Sequence, residues 1–388
     1  MKSLQEIWDR VGDVESANAI LQAQNTELQQ LIAPIYEKLG IQLPWTIETI
    51  DSTGDVGAYA SLAVAPTGEI GIAYYDANGP DMKYAGNTGS GWVFDVARAN
   101  PSFHDYGKHA SLAFSSTGEP GISFHSASTP KDLNYSQRSE GTWSWEAPDG
   151  VGSNSIFGTF TSLAFDSDDH PAIAYFAETN GHLKLARYDG GSWNLETVDS
   201  SATTGQYPSL VFLPSGQPAI SYYRSSSGDL KYATYTGAAW SIIDIDTTDD
   251  VGQFSSMALD PQGHPAIAYY DATNTDLKFA SFDGATWSIE TAVEEPTKDI
   301  GKYASLAFGP SGLAAIACHV DGIPADLIFV SFDGTEWSRQ TVDGVGSNNV
   351  LGKYYSLAFN PAGQPMIAYY DETNGDLKFA SRSPFSNP

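Results

Sequence analysis

Apolar and polar positions alternate along most of this chain in short runs, each closed by Gly, Pro, Asn or Asp. The stretch from Phe254 to Val293 shows the unit plainly: FSSMAL, a turn DPQGHP, AIAYY, a turn DATNTD, LKFASF, an Asp-Gly turn, and TWSIETAV. Runs rich in β-branched and aromatic residues between such turns predict four consecutive antiparallel strands, A to D. The period of 3.6 residues that a helical repeat would need is missing from these runs. The unit recurs. A tetrapeptide close to SLAF begins at Ser61, Ser111, Ser162, Ser209, Ser256, Ser305 and Ser356, at intervals of 47 to 51 residues. Seven units of four strands predict an all-β fold, a seven-bladed β-propeller over residues 45–388.

The last unit supplies strands A to C and then stops near Ser383, without a Trp-bearing strand D. That strand stands at the other end: Trp45-Thr46-Ile47-Glu48-Thr49 matches Trp287-Ser288-Ile289-Glu290-Thr291. Residues 45–51 are therefore expected to complete the seventh blade and close the ring, which removes two sheet edges at once.

A different period precedes the ring. Residues 4–35 carry heptads, with Leu4, Val11, Asn18, Asn25 and Ile32 at a and Ile7, Val14, Leu21, Leu28 and Ile35 at d. This predicts an N-terminal α-helical coiled coil over residues 1–40, a rod of roughly 48 Å, with 41–44 as linker. Apolar Ala17, Leu31 and Trp8 widen the seam and favour a homo-trimer over a dimer. A single amphipathic helix lying on the propeller is the alternative.

Charge narrows the partners. With 19 Lys+Arg against 47 Asp+Glu, the net charge of −28 opposes binding to nucleic acid or anionic membrane surfaces. No apolar run reaches the roughly 18 residues of a membrane span, so no membrane insertion is expected. The single cysteine, Cys318, excludes an intramolecular disulfide. The opening MKSLQEIWDRVGDVE lacks the apolar core of a signal peptide.

The C–D hairpins SFDGATW (281–287), SFDGTEW (331–337) and RYDGGSW (187–193) resemble shortened Asp-box hairpins of sialidase-like propellers. The wider unit, SLAF…IAYYD…DLKFA…DG-x-x-W, is similar to repetitive propellers of bacterial exported proteins. This resemblance implies an extracellular or cell-surface location and a turn-stabilising role for the hairpin Asp and Trp residues. It does not imply sialidase chemistry. The propeller arginines, Arg98, Arg138, Arg187, Arg224, Arg339 and Arg382, stand at unlike places in their units, so they form no repeated carboxylate-binding cluster.

Antiparallel strands place the monotonous A–B and C–D turns on one face and the longer D–A and B–C loops on the other, the expected binding face. Near that face each unit offers an aromatic pair from strands A and B: Tyr59–Tyr75, His109–His125, Phe160–Phe176, Tyr207–Tyr223, Phe254–Tyr270, Tyr303–His319 and Tyr354–Tyr370. They read either as packed cross-strand pairs or as platforms for sugars; Tyr59, Tyr75, His109, His125, Tyr207, Tyr223, Tyr303, His319, Tyr354 and Tyr370 are the candidate ligand contacts. His104, His109 and His125 have the chemistry of a zinc trio, although histidine replacing tyrosine in a packed pair is the simpler account. The DATNTD-type loops lack the ligand spacing of an EF-hand and read as Asx-turns without calcium. No GxSxG, HExxH or P-loop pattern is present, and no cofactor is expected. Three functions remain open at this point: lectin-like recognition or adhesion of glycan or protein ligands by clustered heads, a polysaccharide hydrolase or lyase using the central funnel, and a structural subunit of an extracellular or phage-tail-like assembly docked by its helix.

Overall fold

The computed structural model describes residues 44–99, 105–128, 131–150, 155–322, 325–344, 350–351 and 353–382. The predicted coiled coil lies outside the described residues. Among the described residues, twenty-eight strands form seven four-stranded antiparallel sheets. Blade 1 comprises β2 (Val56–Val64), β3 (Ile70–Asp76), β4 (Asp81–Asn87) and β5 (Trp92–Arg98). Blades 2 to 6 repeat this order over residues 106–149, 159–199, 204–246, 251–293 and 299–343. Blade 7 contains β26 (Ser356–Phe359), β27 (Pro365–Asp371) and β28 (Asp376–Arg382), with β1 (Trp45–Asp51) as its outer strand. Trp45 pairs with Arg382 and Asp51 with Leu377, so the ring closes as the repeat predicts.

The core is not central. It consists of seven apolar clusters, one between each pair of neighbouring blades. The strand D tryptophan of one blade packs on the strand C aromatic of the blade before it: Trp92 on Phe379, Trp143 on Tyr84, Trp337 on Phe279. Trp45 meets Phe329 of blade 6 in the same edge-on way at 5.3 Å, which places the N-terminal strand as a true strand D.

Two polar systems hold the seams. Where strand D ends in Asp, its carboxylate accepts from a buried Tyr of the next blade, and in several seams from a Lys as well. Examples are Tyr74 and Lys83 on Asp51, and Tyr269 and Lys278 on Asp246. Burial alone would raise these carboxyls, but the lysine, tyrosine and backbone donors hold both below the usual carboxylate range. The second system runs around the axis. The hydroxyl of each SLAF serine accepts the backbone N–H of the residue after the next blade's serine. It does so in all seven seams, from Leu112 N to Ser61 Oγ at 2.9 Å through to Leu62 N to Ser356 Oγ at 2.8 Å.

The hairpin aspartates cap their own turns: Asp283 accepts from the N–H groups of Ala285 and Thr286, and Asp189 from those of Gly191 and Ser192. Cys318 is buried, and burial pushes its thiol up and keeps it protonated and unreactive.

The serine ring gives a direct stability test. Ser209→Ala leaves the N–H of buried Met257 without its acceptor, an expected loss of about 1–3 kcal/mol in urea unfolding. The exposed Ser288→Ala should stay within about 0.5 kcal/mol of the parent.

Candidate functional site

In sequence, every unit carries Gly, one residue, then an aromatic ring just before its SLAF-type serine: Gly57-Ala58-Tyr59, Gly205-Gln206-Tyr207 and so on to Gly352-Lys353-Tyr354. The glycine is needed for contact. Gly205 has φ +101°, and a Cβ there would lie 2.6 Å from the Cα of Leu183 in the preceding blade. Two residues later the aromatic residue itself takes left-handed backbone angles, with φ between 50° and 71° in Tyr59, His109, Phe160, Tyr207, Phe254, Tyr303 and Tyr354. Such a conformation costs on the order of 1–3 kcal/mol in a residue with a side chain. It marks a bulge: the register of strands A and B jumps between Ala58 and Ser61, and likewise between Gln206 and Ser209.

The bulge corrects the predicted pairing in detail. Tyr75 lies opposite Ala58, not Tyr59, and His125 lies opposite Lys108. The rings of five of the pairs still meet, with centroids 6.3 Å apart for Tyr59–Tyr75 and for His109–His125. The extra residue swings the strand A ring toward the axis, where it meets its counterparts from both neighbouring blades. Centroid separations run from 4.1 Å (Tyr354–Tyr59) to 5.4 Å (Tyr303–Tyr354), with Tyr59–His109 at 4.8 Å, His109–Phe160 at 4.6 Å and Phe254–Tyr303 at 4.4 Å. Phe160–Tyr207 and Tyr207–Phe254, both at 4.5 Å, complete an unbroken circle of seven rings.

This aromatic iris and the serines two residues further on line a central cavity of about 430 Å³. Its wall is aromatic rings, alanines, serines, Thr161 and Pro208, with neutral His109 in the second blade. Burial pushes the phenols of Tyr207, Tyr303 and Tyr354 up, Tyr303 to about 12, so their hydroxyls stay protonated and act as hydrogen-bond groups. Such a wall suits the apolar face and hydroxyl rim of a sugar better than a charged ligand.

The ten sequence candidates thus separate into two sets. Tyr59, His109, Tyr207, Tyr303 and Tyr354 line the cavity. Tyr75, His125, Tyr223 and His319 are buried in the seams, with Tyr370 half-buried beside them. The seam tyrosines donate to aspartates of the next blade's D–A loop: Tyr223 to Asp250 at 2.6 Å and Tyr370 to Asp55 at 2.7 Å. His319 bonds the Tyr355 hydroxyl at 2.8 Å and Asp321 at 2.9 Å, and His125 Nδ1 lies 2.8 Å from the Phe157 carbonyl. Phe160 and Phe254, the other two members of the iris, are absent from those ten candidates; the G-x-aromatic spacing marks them. His104 lies outside the described residues. Among the described residues, the ligating atoms of Asp166, Asp168 and His170 come within 4.8 Å of one another, in an exposed A–B turn where Asp166 already caps the backbone. A second cavity, of about 630 Å³, opens between blades 3 and 4 and shares Phe160 with the first.

No protein-family model and no curated protein sequence matches the chain. Among solved structures it is similar to a protein of unknown function from Dyadobacter fermentans (12% identity, 86% of this chain and 97% of that one, TM-score 0.52). It is also similar to AofleA from Arthrobotrys oligospora (15% identity, 78% and 90%, TM-score 0.50) and to an Aleuria aurantia lectin in complex with a fucoside (17%, 77% and 98%, TM-score 0.49). At these identities the likeness shows the propeller fold alone.

The two blade 2 histidines make acid stability a test of their burial. Loss of hydration, with repulsion from His125 and Lys108, lowers His109 to about 3. Burial lowers His125 to about 4, against the pull of the Phe157 carbonyl and Asp105, and Lys131 and Lys108 repel its charged form. Both stay neutral when folded and charge near 6.5 when unfolded, so the unfolded state binds more protons below that pH. Their contribution is complete above about pH 6.5 and is lost as pH falls, toward 4 for His125 and toward 3 for His109. Each should cost at most about 2 kcal/mol between pH 6.5 and 5. His109→Phe with His125→Tyr, which copies rings found in other blades, should flatten the fall in urea midpoint over that window. His319, also lowered by burial, keeps a residual slope in the variant.

Proposed function

We propose that the chain is a non-enzymatic recognition protein, an adhesin-like propeller head whose D–A/B–C loop face binds glycans, with the aromatic iris as floor of the site. The observation that carries this reading is the circle of seven aromatic residues held in left-handed backbone conformations around the axis. Strain repeated at one position in every blade persists only where the surrounding fold enforces it, and it concentrates where side chains are aimed for a purpose. Here it aims rings, with serine and tyrosine hydroxyls beside them, into a cavity large enough for about one or two sugar residues.

The heptads of residues 4–35 extend the proposal to an extracellular or cell-surface homo-oligomer, a trimer by preference. Linked weak sites would then gain avidity of roughly 10²–10⁴-fold.

The test is a glycan array followed by calorimetric titration of the best hit, using the full chain and Tyr303→Ala. Saturable binding without release of reducing ends, weakened at least about tenfold in Tyr303→Ala, is the expected result. An array with no hits overturns the recognition reading, and turnover of a polysaccharide replaces it with an enzyme.

A further inference from the structure

A sevenfold ring of similar residues cannot by itself orient a ligand; something must break the symmetry. Four seams have fully described loops: blades 3–4, 4–5, 5–6 and 7–1. In two of them a strand B tyrosine donates to an aspartate of the following D–A loop, Tyr223 to Asp250 and Tyr370 to Asp55. In the third, Tyr270 stands beside Asp299, the first residue of strand A, where burial and then that carboxylate push its phenol up. At seam 3–4 both partners change together, to Phe176 and Thr203.

The next residue changes as well. Asp271 and Asp371 accept the side-chain amides of Asn274 and Asn374 at 2.9 Å, whereas blade 3 has Ala177 there and keeps the amide, Asn180. Gln253 donates its amide to Asp250, while its counterpart Gln206 has Thr203 at the aspartate's place, and both line the second cavity. The backbone frame is unaltered: Gly181 N to Ala177 O and Thr204 N to Gly181 O match Gly228 N to Arg224 O and Val251 N to Gly228 O within 0.1 Å. Seam 3–4 has therefore lost two carboxylates and one phenol hydroxyl and kept the amides that those carboxylates engage elsewhere. The second cavity opens at this place, with Phe160 and Phe176 as apolar wall and the exposed Glu178 at its rim.

We propose that seam 3–4 is a saccharide subsite. It takes one neutral sugar residue of a ligand that also reaches the central cavity across Phe160. Hydroxyl oxygens of the sugar accept from Asn180 and Gln206 in place of the missing carboxylates, a sugar hydroxyl donates to Glu178, and a C–H face lies on the phenylalanines. Among the described residues no cationic side chain lines this cavity, and Glu178 together with the net charge of −28 disfavours acidic sugars. The inference rests on the glycan-recognition reading and assigns its specificity.

The experiment compares the full chain with a variant that restores the seam, Phe176→Tyr with Ala177→Asp and Thr203→Asp. Every restored residue copies a position that other blades already hold, so the variant keeps a fold that calorimetric unfolding can verify. Both are applied to an array of neutral and uronate-containing oligosaccharides, and Glu178→Gln is titrated with the best neutral hit. Neutral hits that weaken at least tenfold in the restored variant and in Glu178→Gln support the subsite. Undiminished binding by the restored variant overturns the subsite and leaves recognition at the axis standing. Preference for the uronates overturns the neutral class, and an array without hits overturns both readings.

Discussion

Everything in this ring hangs on a hydrogen bond between a serine hydroxyl and the backbone of the next blade. Strand A is the inner edge of each sheet, with a row of N–H groups facing neither a fifth strand nor bulk water. The Oγ of Ser61 accepts the N–H of Leu112, that of Ser111 the N–H of Leu163, and so on until Ser356 accepts Leu62. An N–H in this place without an acceptor would cost about 1–3 kcal/mol, and the bond fixes how closely neighbouring blades approach at the axis. Given that spacing, the residue after Gly-x must bulge, and a ring placed there has nowhere to go but the centre. The iris is a geometric consequence of the serine ring together with the glycine contact behind it.

Farther from the axis the same logic is written in residues that change together. The triad of Asp, Tyr and Lys is present at Asp51–Tyr74–Lys83 and Asp246–Tyr269–Lys278. At seam 5–6 all three positions are apolar, Val293 of blade 5 with Cys318 and Ile328 of blade 6, and they pack in one core cluster. At seam 1–2 they are Arg98 of blade 1 with Phe124 and Asn134 of blade 2, with Asn134 bonded to the Asp132 carbonyl. A buried carboxylate without its donors is costly, so loss of one member removes the reason for the others. Coupled substitution thus preserves the seam, and the same logic gives the Phe176, Ala177 and Thr203 set at seam 3–4 its meaning. There the acceptors vanish while Asn180 and Gln206 remain.

Strand count, blade number and closure were legible in the sequence because they rest on repetition and on turn chemistry. The displaced WTIET strand sufficed to place residues 45–51 as the outer strand of the seventh blade, where Trp45 pairs with Arg382. The bulge was not legible. Left-handed angles in Tyr or Phe, which hold six of the seven positions, leave no compositional trace, since these residues have no preference for that region. The strand A and B rings of each pair therefore read as direct partners. The glycine two residues ahead was the available sign, but a lone glycine before a strand ordinarily reads as a turn.

The division of the ten aromatic candidates follows from the same displacement. A residue one step off the ladder escapes the sheet's alternation and can leave the seam, while its former partner on strand B cannot. Tyr223 stays buried and spends its hydroxyl on Asp250, whereas Tyr207 reaches the axis and touches Phe160 and Phe254. Rings of nearly identical sequence context thereby acquire opposite roles, one set holding blades together and the other presenting a surface. Recognition by such a surface depends on how the ring departs from its symmetry, because the regular positions are already committed to holding it closed.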